Sequence, residues 1–458
     1  MEGHGRYSLI NLAPEAKEAS MVAGQREYTV RISRKETVAA ALPMQEHWLP
    51  LSNLDLLLPP LDVGVFFCYT KPTPAANDTR PSTFSAVLKV LKASLAKALI
   101  TYYPFAGELV TNSSGEPELL CNNRGVDFIE AHAEVDLAEL DFHDADQGLE
   151  KLIPEKKHGV LTIQATEMTC GGMVLGCKFD HRVADAYSFN MFLVGWAEMA
   201  AAKPASVHPS FRRSLLDARR PLHVDPTIDH FFVPVSTLPP PQTEPLYNCV
   251  NRIYYIDAAD VERLQVMAGS GRTKLEAFAA YLWKLVGRAT PAQMGLVVDG
   301  RRRLGPVMDG YFGNVLSIPY AEMAVGAMTM EEVAAAVHGM VEEAASEGHF
   351  RGLVDWVEAM RPDMAVARVY AEEGLSVVVS SGRGFPVREV EFGWGKAVMG
   401  SYHFPWKGEA GYVMPMPSAK GNGDWLVYAH IAREVVDAID AEAGNVLRRV
   451  SAEYLWLK

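Results

Sequence analysis

Cysteine is scarce in this sequence, positive charge is in deficit, and long apolar runs are missing. Five cysteines stand at 68, 121, 170, 177 and 249 of 458 residues. They are too few and too scattered for a disulfide framework, and no paired histidine completes a zinc set around Cys170 and Cys177. No metal is expected. No stretch approaches the roughly 18 apolar residues that span a bilayer. Met1 to Ser20 is polar and mixed in charge, unlike a secretory signal. Lysine and arginine total 43 against 56 aspartates and glutamates, a formal charge of −13. Nucleic acid and anionic membrane both call for a basic face, so neither is expected as a partner. The signatures Gly-x-Ser-x-Gly, the Walker loop and Gly-x-Gly-x-x-Gly are absent as well. What remains is a cytoplasmic protein with reduced thiols and no bound cofactor. Neither heptads nor an internal repeat demand a second copy, so a monomer is expected.

Hydrophobic residues make up 49% and charged residues 22%, the balance of a globular enzyme. A chain of this length exceeds one ordinary core, so two domains are the default. Strand and helix patterns interleave in both halves. Residues 27–32 alternate like a strand, 63–69 form a nearly all-apolar one, and 84–100 carry apolar positions at helical spacing. Two strands across 160–180 meet at Cys170-Gly171-Gly172, and a helical pattern follows from Ala184. Prolines then cluster between about 203 and 248, ending in Pro239-Pro240-Pro241, where extended chain resists packing. Beyond it come strands at 252–256, 375–380 and 425–431, and helices at 275–287, 330–346 and 439–455. The reading is α/β: an N-terminal domain over 1–205, a Pro-rich crossover over 206–248 and a C-terminal domain over 249–458.

A histidine follows the second strand of the hairpin, in His181-Arg182-Val183-Ala184-Asp185. Exposed at a strand-to-helix turn, with an unperturbed pKa near 6.5, it is placed to act as a general base. The spacing His-x-x-x-Asp is weak evidence alone, and His132-Ala133-Glu134-Val135-Asp136 repeats it. That second match lies in a polar, acidic stretch without a Gly-rich approach, and is read as a surface histidine.

Context separates the two. Thr169-Cys170-Gly171-Gly172, the 181–185 motif and Glu391-Phe392-Gly393-Trp394-Gly395 follow one another in order. With them stand Leu51-Ser52-Asn53-Leu54-Asp55, Tyr103-Pro104-Phe105-Ala106-Gly107, Val298-Asp299-Gly300-Arg301-Arg302-Arg303-Leu304 and Tyr311-Phe312-Gly313-Asn314. Together they resemble the landmarks of the plant BAHD acyltransferases over nearly the whole chain.

The resemblance implies two similarly sized mixed α/β domains of chloramphenicol acetyltransferase-like fold, with a channel between them. It implies acyl-CoA as co-substrate, an acceptor entering from the opposite face, and His181 as general base in a ternary complex. It makes the Trp394 indole N–H a donor to the thioester oxygen and turns Asp185 away from substrate into a pair with Arg301. Glu391, Gly393 and Gly395 take structural parts, Glu391 standing where an aspartate is usual. Arg272 and Thr273 resemble the family's CoA-contacting segment, though the same residues read equally as a helix cap. Chloramphenicol acetyltransferases and peptide-synthetase condensation domains share the histidine logic but differ at Asp180 and Ala186. A covalent route through Cys170 or Cys177 is disfavoured, since strand cysteines are usually small core residues.

For the acceptor, the stretch from Glu46 to Val63, with His47 and Asp62, resembles the coniferyl alcohol acyltransferase branch. That implies transfer of an acetyl or hydroxycinnamoyl group to the hydroxyl of a neutral aromatic alcohol. Relatives using shikimate or quinate have Trp and Arg where this chain has Gly382 and Gly384, with Arg383 one place out of register. An unmatched acid at Asp62 repels a carboxylate acceptor, and equally steers a cationic amine toward N-acylation. A non-catalytic relative that binds a small molecule or a partner stays open as an alternative of another class.

Overall fold

The computed structural model describes residues 27–457 except 73–80, 239–247, 372, 407, 409, 444 and 445. Met1 to Ser20 and Pro239 to Pro241 thus lie outside the described residues.

Two mixed sheets form the frame. The first runs in the order Val30–Val38, Val126–Ala133, Leu161–Met168, Met173–Asp180, Asp62–Tyr69 and Met399–His403. The second runs Tyr320–Met323, Ala292–Leu296, Ser376–Val379, Gly411–Pro417, Trp425–Ala432, Cys249–Ile256 and Arg448–Arg449. Helices Phe84–Thr101 and Ala186–Ala200 bury Leu91, Leu95, Phe189 and Phe192 in the core of the first. Helices Lys274–Val286 and Met330–Glu343 bury Phe278, Trp283 and Val337 in that of the second. These are the apolar stripes visible in the sequence. The hairpin is present too: Gly171 N–H donates to Met168 O at 2.8 Å, and Gly171 takes φ +78°, a region open to glycine at no steric cost.

Two expectations are corrected. Residues 439–455 do not continue as a helix. Helix Arg433–Ala438 extends only through a wider turn to Ala443, and Arg448–Arg449 then pairs with Tyr254 and Tyr255 at the edge of the second sheet. Arg448 also reaches Asp257 at 2.8 Å and Asp260 at 2.7 Å. Edge pairing and ion pairs outweigh the local helical pattern.

The 206–248 segment does not simply resist packing. Ile228, Phe231 and Phe232 are buried in an apolar cluster with Phe350, Leu353 and Trp356 of helix Glu347–Met360. Phe232–Pro234 pairs with Ala365–Ala367.

The second half also lends a strand to the first sheet. Met399–His403 hydrogen-bonds to the first sheet, with Tyr402 opposite Val65 and His403 opposite Gly64. All five residues are buried, and they cover what is otherwise an open edge of Asp62–Tyr69. Residues 249–458 therefore complete the N-terminal sheet. The described residues contain no helix long and apolar enough to cross a membrane.

His403 on that shared strand has both ring nitrogens buried and unpartnered, and burial pushes its pKa down to about 3. The unfolded chain, titrating near pH 6.5, binds a proton that the folded chain refuses. This contribution is therefore intact above pH 6.5 and is lost as the pH falls toward 3. At pH 5 the loss is about 2 kcal/mol. His403→Phe should be tolerated at pH 7 and should flatten the decline of Tm between pH 7 and 5. An unchanged slope would place the acid sensitivity elsewhere.

Candidate active site

Between the two sheets lies a cavity of about 880 Å³, within the range of small-molecule sites. The N-terminal half contributes Leu57, Val63, Phe179 and Met191 to its wall; the C-terminal half contributes Tyr370, Phe404, Trp406, Tyr412 and Met414. His181 lines it as well.

The strand Met173–Asp180 delivers His181 to this wall. The His181 N–H donates to Leu61 O at 2.9 Å, and Val183 N–H returns to Asp180 O at 3.1 Å, closing a tight turn. Arg182 braces the turn by donating from Nε and Nη2 to the Asp180 carboxylate at 2.9 and 2.8 Å. His181 Nδ1 is buried and has no partner, which leaves Nε2 as the ring nitrogen for a bound molecule.

Asp185 is buried and caps helix Ala186–Ala200, accepting from Ser188 N–H at 2.9 Å. Its two oxygens also accept from Arg301 Nη1 and Nη2 at 2.7 and 3.1 Å. Arg301 also donates to Tyr311 O, Gly313 O, Ser188 Oγ and, from Nη1, to the Asp299 carboxylate at 3.2 Å. Burial works against its charge, but the Asp185 and Asp299 carboxylates outweigh it and hold the guanidinium above its ordinary pKa. Asp185 and Arg301 are thus brought together, and Arg301 is spent on that pair. Of the arginine run only the exposed Arg302 shares the cavity wall with it.

Other expected residues fall elsewhere. Trp394 is absent from the cavity lining. Its indole packs on Phe392 at 5.4 Å and edge-on to Tyr69 at 5.8 Å, with Nε1 buried and unpartnered. A removed oxyanion donor costs about 10²–10³ in turnover. From this placement, Trp394→Phe should instead hold kcat within about threefold; a loss of 10² or more in steady-state turnover would restore the donor role. Glu391 is half-buried near the Tyr69 phenol. Gly393 and Gly395 take φ +102° and +136°, where a side chain is strained whatever the space.

Thr273 caps helix Lys274–Val286 in a reciprocal box with Glu276, so the cap reading holds at this residue. Neither it nor Arg272 lines the cavity. His47 is exposed, its Nδ1 at 3.0 Å from Gln45 O, and it too is off the lining. Asp62 corrects the electrostatic argument. Burial raises its pKa, but Lys156 Nζ stands 3.1 Å away, so this acid is matched, and it does not line the cavity. Arg383 does line it, exposed. His132 is a half-buried strand residue 3.0 Å from Glu167, its ring edge-on to Phe84.

Sequence reasoning gave no role to Asp55, Asn314, Ser188 or Tyr187. Asp55 and Asn314 sat inside quoted motifs, so their presence was legible and their contact was not. Tyr187 lines the cavity and lies over the Arg301 guanidinium at 4.3 Å.

A family model described as "Transferase family" matches residues 28–445. Hydroxycinnamoyltransferase 2 of Oryza sativa subsp. japonica is 30% identical over 416 residues, 84% of this chain and 92% of the relative. A hydroxycinnamoyl-CoA:5-hydroxyanthranilate N-hydroxycinnamoyltransferase of Avena sativa is 29% identical over 429 residues, covering 86% and 94%. Among solved structures, vinorine synthase superposes with a TM-score of 0.69 at 20% identity, over 93% of this chain and all of that one.

Proposed function

The chain belongs to the Transferase family, the BAHD acyltransferases that draw acyl groups from CoA thioesters, and from that premise we propose its acceptor and the parts its residues play. The acceptor is the hydroxyl of an aromatic alcohol, such as a hydroxycinnamyl alcohol, and the acyl group is acetyl or hydroxycinnamoyl. His181 Nε2 takes the hydroxyl proton as the oxygen attacks the thioester carbonyl. The C–S bond then breaks, and the CoA thiolate receives the proton back from the imidazolium. The observation that carries this reading is His181 on the wall of an aromatic-lined cavity built by both halves. Asp185 takes no part in the proton transfer, because both its oxygens are engaged by Arg301.

Arg272 stays proposed for the CoA phosphates, supported by its place before a helix N-terminus. The Thr273 hydroxyl is already engaged as the cap, so its support is weaker. No cofactor is needed beyond the acyl-CoA co-substrate, and we read the protein as a cytoplasmic monomer on its few, scattered cysteines and its lack of heptads.

A second reading rests on Arg383. With Asp62 matched by Lys156, the cavity no longer repels a carboxylate, and an exposed guanidinium faces it. The acceptor then carries a carboxylate, and its nucleophile is a hydroxyl or an amine, the latter as in the name of the Avena relative.

A thiol-release assay with acetyl-CoA and feruloyl-CoA against coniferyl alcohol, shikimate and tyramine separates these. Release with coniferyl alcohol alone supports the neutral alcohol. Release with shikimate that Arg383→Ala abolishes supports the carboxylate. Release with tyramine alone moves the chemistry to amide formation. Silence in every well, from folded protein, favours the binding-only alternative.

A further inference from the structure

Nothing hydrogen-bonds to the His181 ring at Nδ1, and its aromatic neighbours Phe404 and Phe179 stand 6.4 and 6.5 Å away, centroid to centroid. Its orientation must therefore come from the peptide that carries it. On the N–H side that peptide is held by Leu61 O. On the carbonyl side the holder is a side chain from the other half of the molecule. Asn314 Nδ2 donates to His181 O at 3.0 Å and to Arg182 O at 3.2 Å.

Asn314 is itself fixed. Asp55, fully buried, accepts from Asn314 N–H at 2.7 Å and from its Nδ2 at 2.8 Å. The other Asp55 oxygen accepts from Ser52 N–H and Oγ, both at 2.8 Å. One amide hydrogen thus goes to Asp55 and the other is shared by the two carbonyls. An amide is suited to this place: it gives both hydrogens and adds no charge of its own, the Asp55 carboxylate already facing Arg213 at 3.9 Å. The Asn314 Oδ1 is buried and unpartnered, so the side chain is kept for what its nitrogen does.

We propose that Asn314, held by Asp55, is a positioning residue that sets the His181 imidazole by gripping the carbonyls of residues 181 and 182 across the two halves. The inference rests on His181 being the general base. Catalytic geometry tolerates little drift, a misplacement of about 1 Å costing on the order of 10²-fold.

The test is Asn314→Ser, which keeps a hydroxyl toward Asp55 but withdraws the reach to both carbonyls. It is assayed by CoA release with the active acceptor, alone and in a His181→Ala background. Tyr28→Phe, which loses a buried hydrogen bond to Gly148 O far from the cavity, is the control for ordinary destabilisation. The expected result is a kcat reduced 10- to 100-fold with both KM values within about threefold, no further loss in the His181→Ala background, and normal kcat for Tyr28→Phe. An unchanged kcat, or the same loss with His181 already removed, overturns the proposal. Should Asn314→Ser not fold, Asp55→Asn replaces it and is expected to lower kcat in the same sense; unchanged kcat there also overturns it. If His181→Ala itself retains wild-type turnover, the general-base reading fails first, an outcome distinct from the others.

Discussion

Replacing His181 by alanine is expected to lower turnover at least about 10²-fold, with the fold and thioester binding intact. The expectation follows from where the ring sits. It is half-buried on the cavity wall and hydrogen-bonds to the protein only through its backbone and not at the ring. Truncating it therefore removes a base without uncapping a helix or orphaning a buried donor. The cavity loses little of its apolar lining, so CoA ester affinity should hold within a few-fold. Steady-state kinetics and acyl-CoA binding by calorimetry read the two halves of this prediction. His132→Ala is the matched control, since that half-buried ring lies beside Glu167 and off the cavity lining, and its loss should leave turnover unchanged. A large loss at His132 with little at His181 would falsify the assignment.

Asp185→Asn is expected to act on the fold as much as on the chemistry. The amide keeps the volume and can still cap Ser188, but it leaves the buried Arg301 guanidinium with only the part-exposed Asp299 carboxylate, 3.2 Å away, as a charged partner. Breaking a buried ion pair from one side costs about 3–5 kcal/mol. Unfolding entropy is roughly 2.1 cal/mol/K per residue. Over 458 residues, each kcal/mol is then worth about 1 °C, so Tm should fall by about 3–5 °C. Turnover should fall with it, because Arg301 also ties Tyr311 and Gly313 beside the histidine loop. Thermal melts and kinetics on the same preparation decide the matter. Lost turnover at unchanged Tm would mean that Asp185 acts on substrate, and would remove its bracing role.

Both outcomes bear on how much of this protein was legible in its sequence. The hairpin at Cys170-Gly171-Gly172 and helices Phe84–Thr101 and Lys274–Val286 were readable because their signals are local: turn glycines, caps and apolar stripes. The His181 motif was readable by its context, and the order of motifs indicated the family. Residues 439–455 were misread because edge pairing with Tyr254 and Tyr255 decides their conformation from nearly two hundred residues away. The strand Met399–His403 gave no sign that it would close the other half's sheet.

The same division runs through the site. The sequence alone determined which residue types were present: a histidine at a strand end, an aspartate four residues on, a distant arginine run and a paired-glycine tryptophan loop. Only the tertiary structure decided their partners. It joined Asp185 to Arg301, matched Asp62 with Lys156, set Trp394 away from the cavity and brought Asn314 to the carbonyl of His181. Local propensity acts over a turn or a strand, whereas desolvation and charge pairing depend on which surfaces meet. Surfaces that are far apart in sequence meet only once the chain has folded.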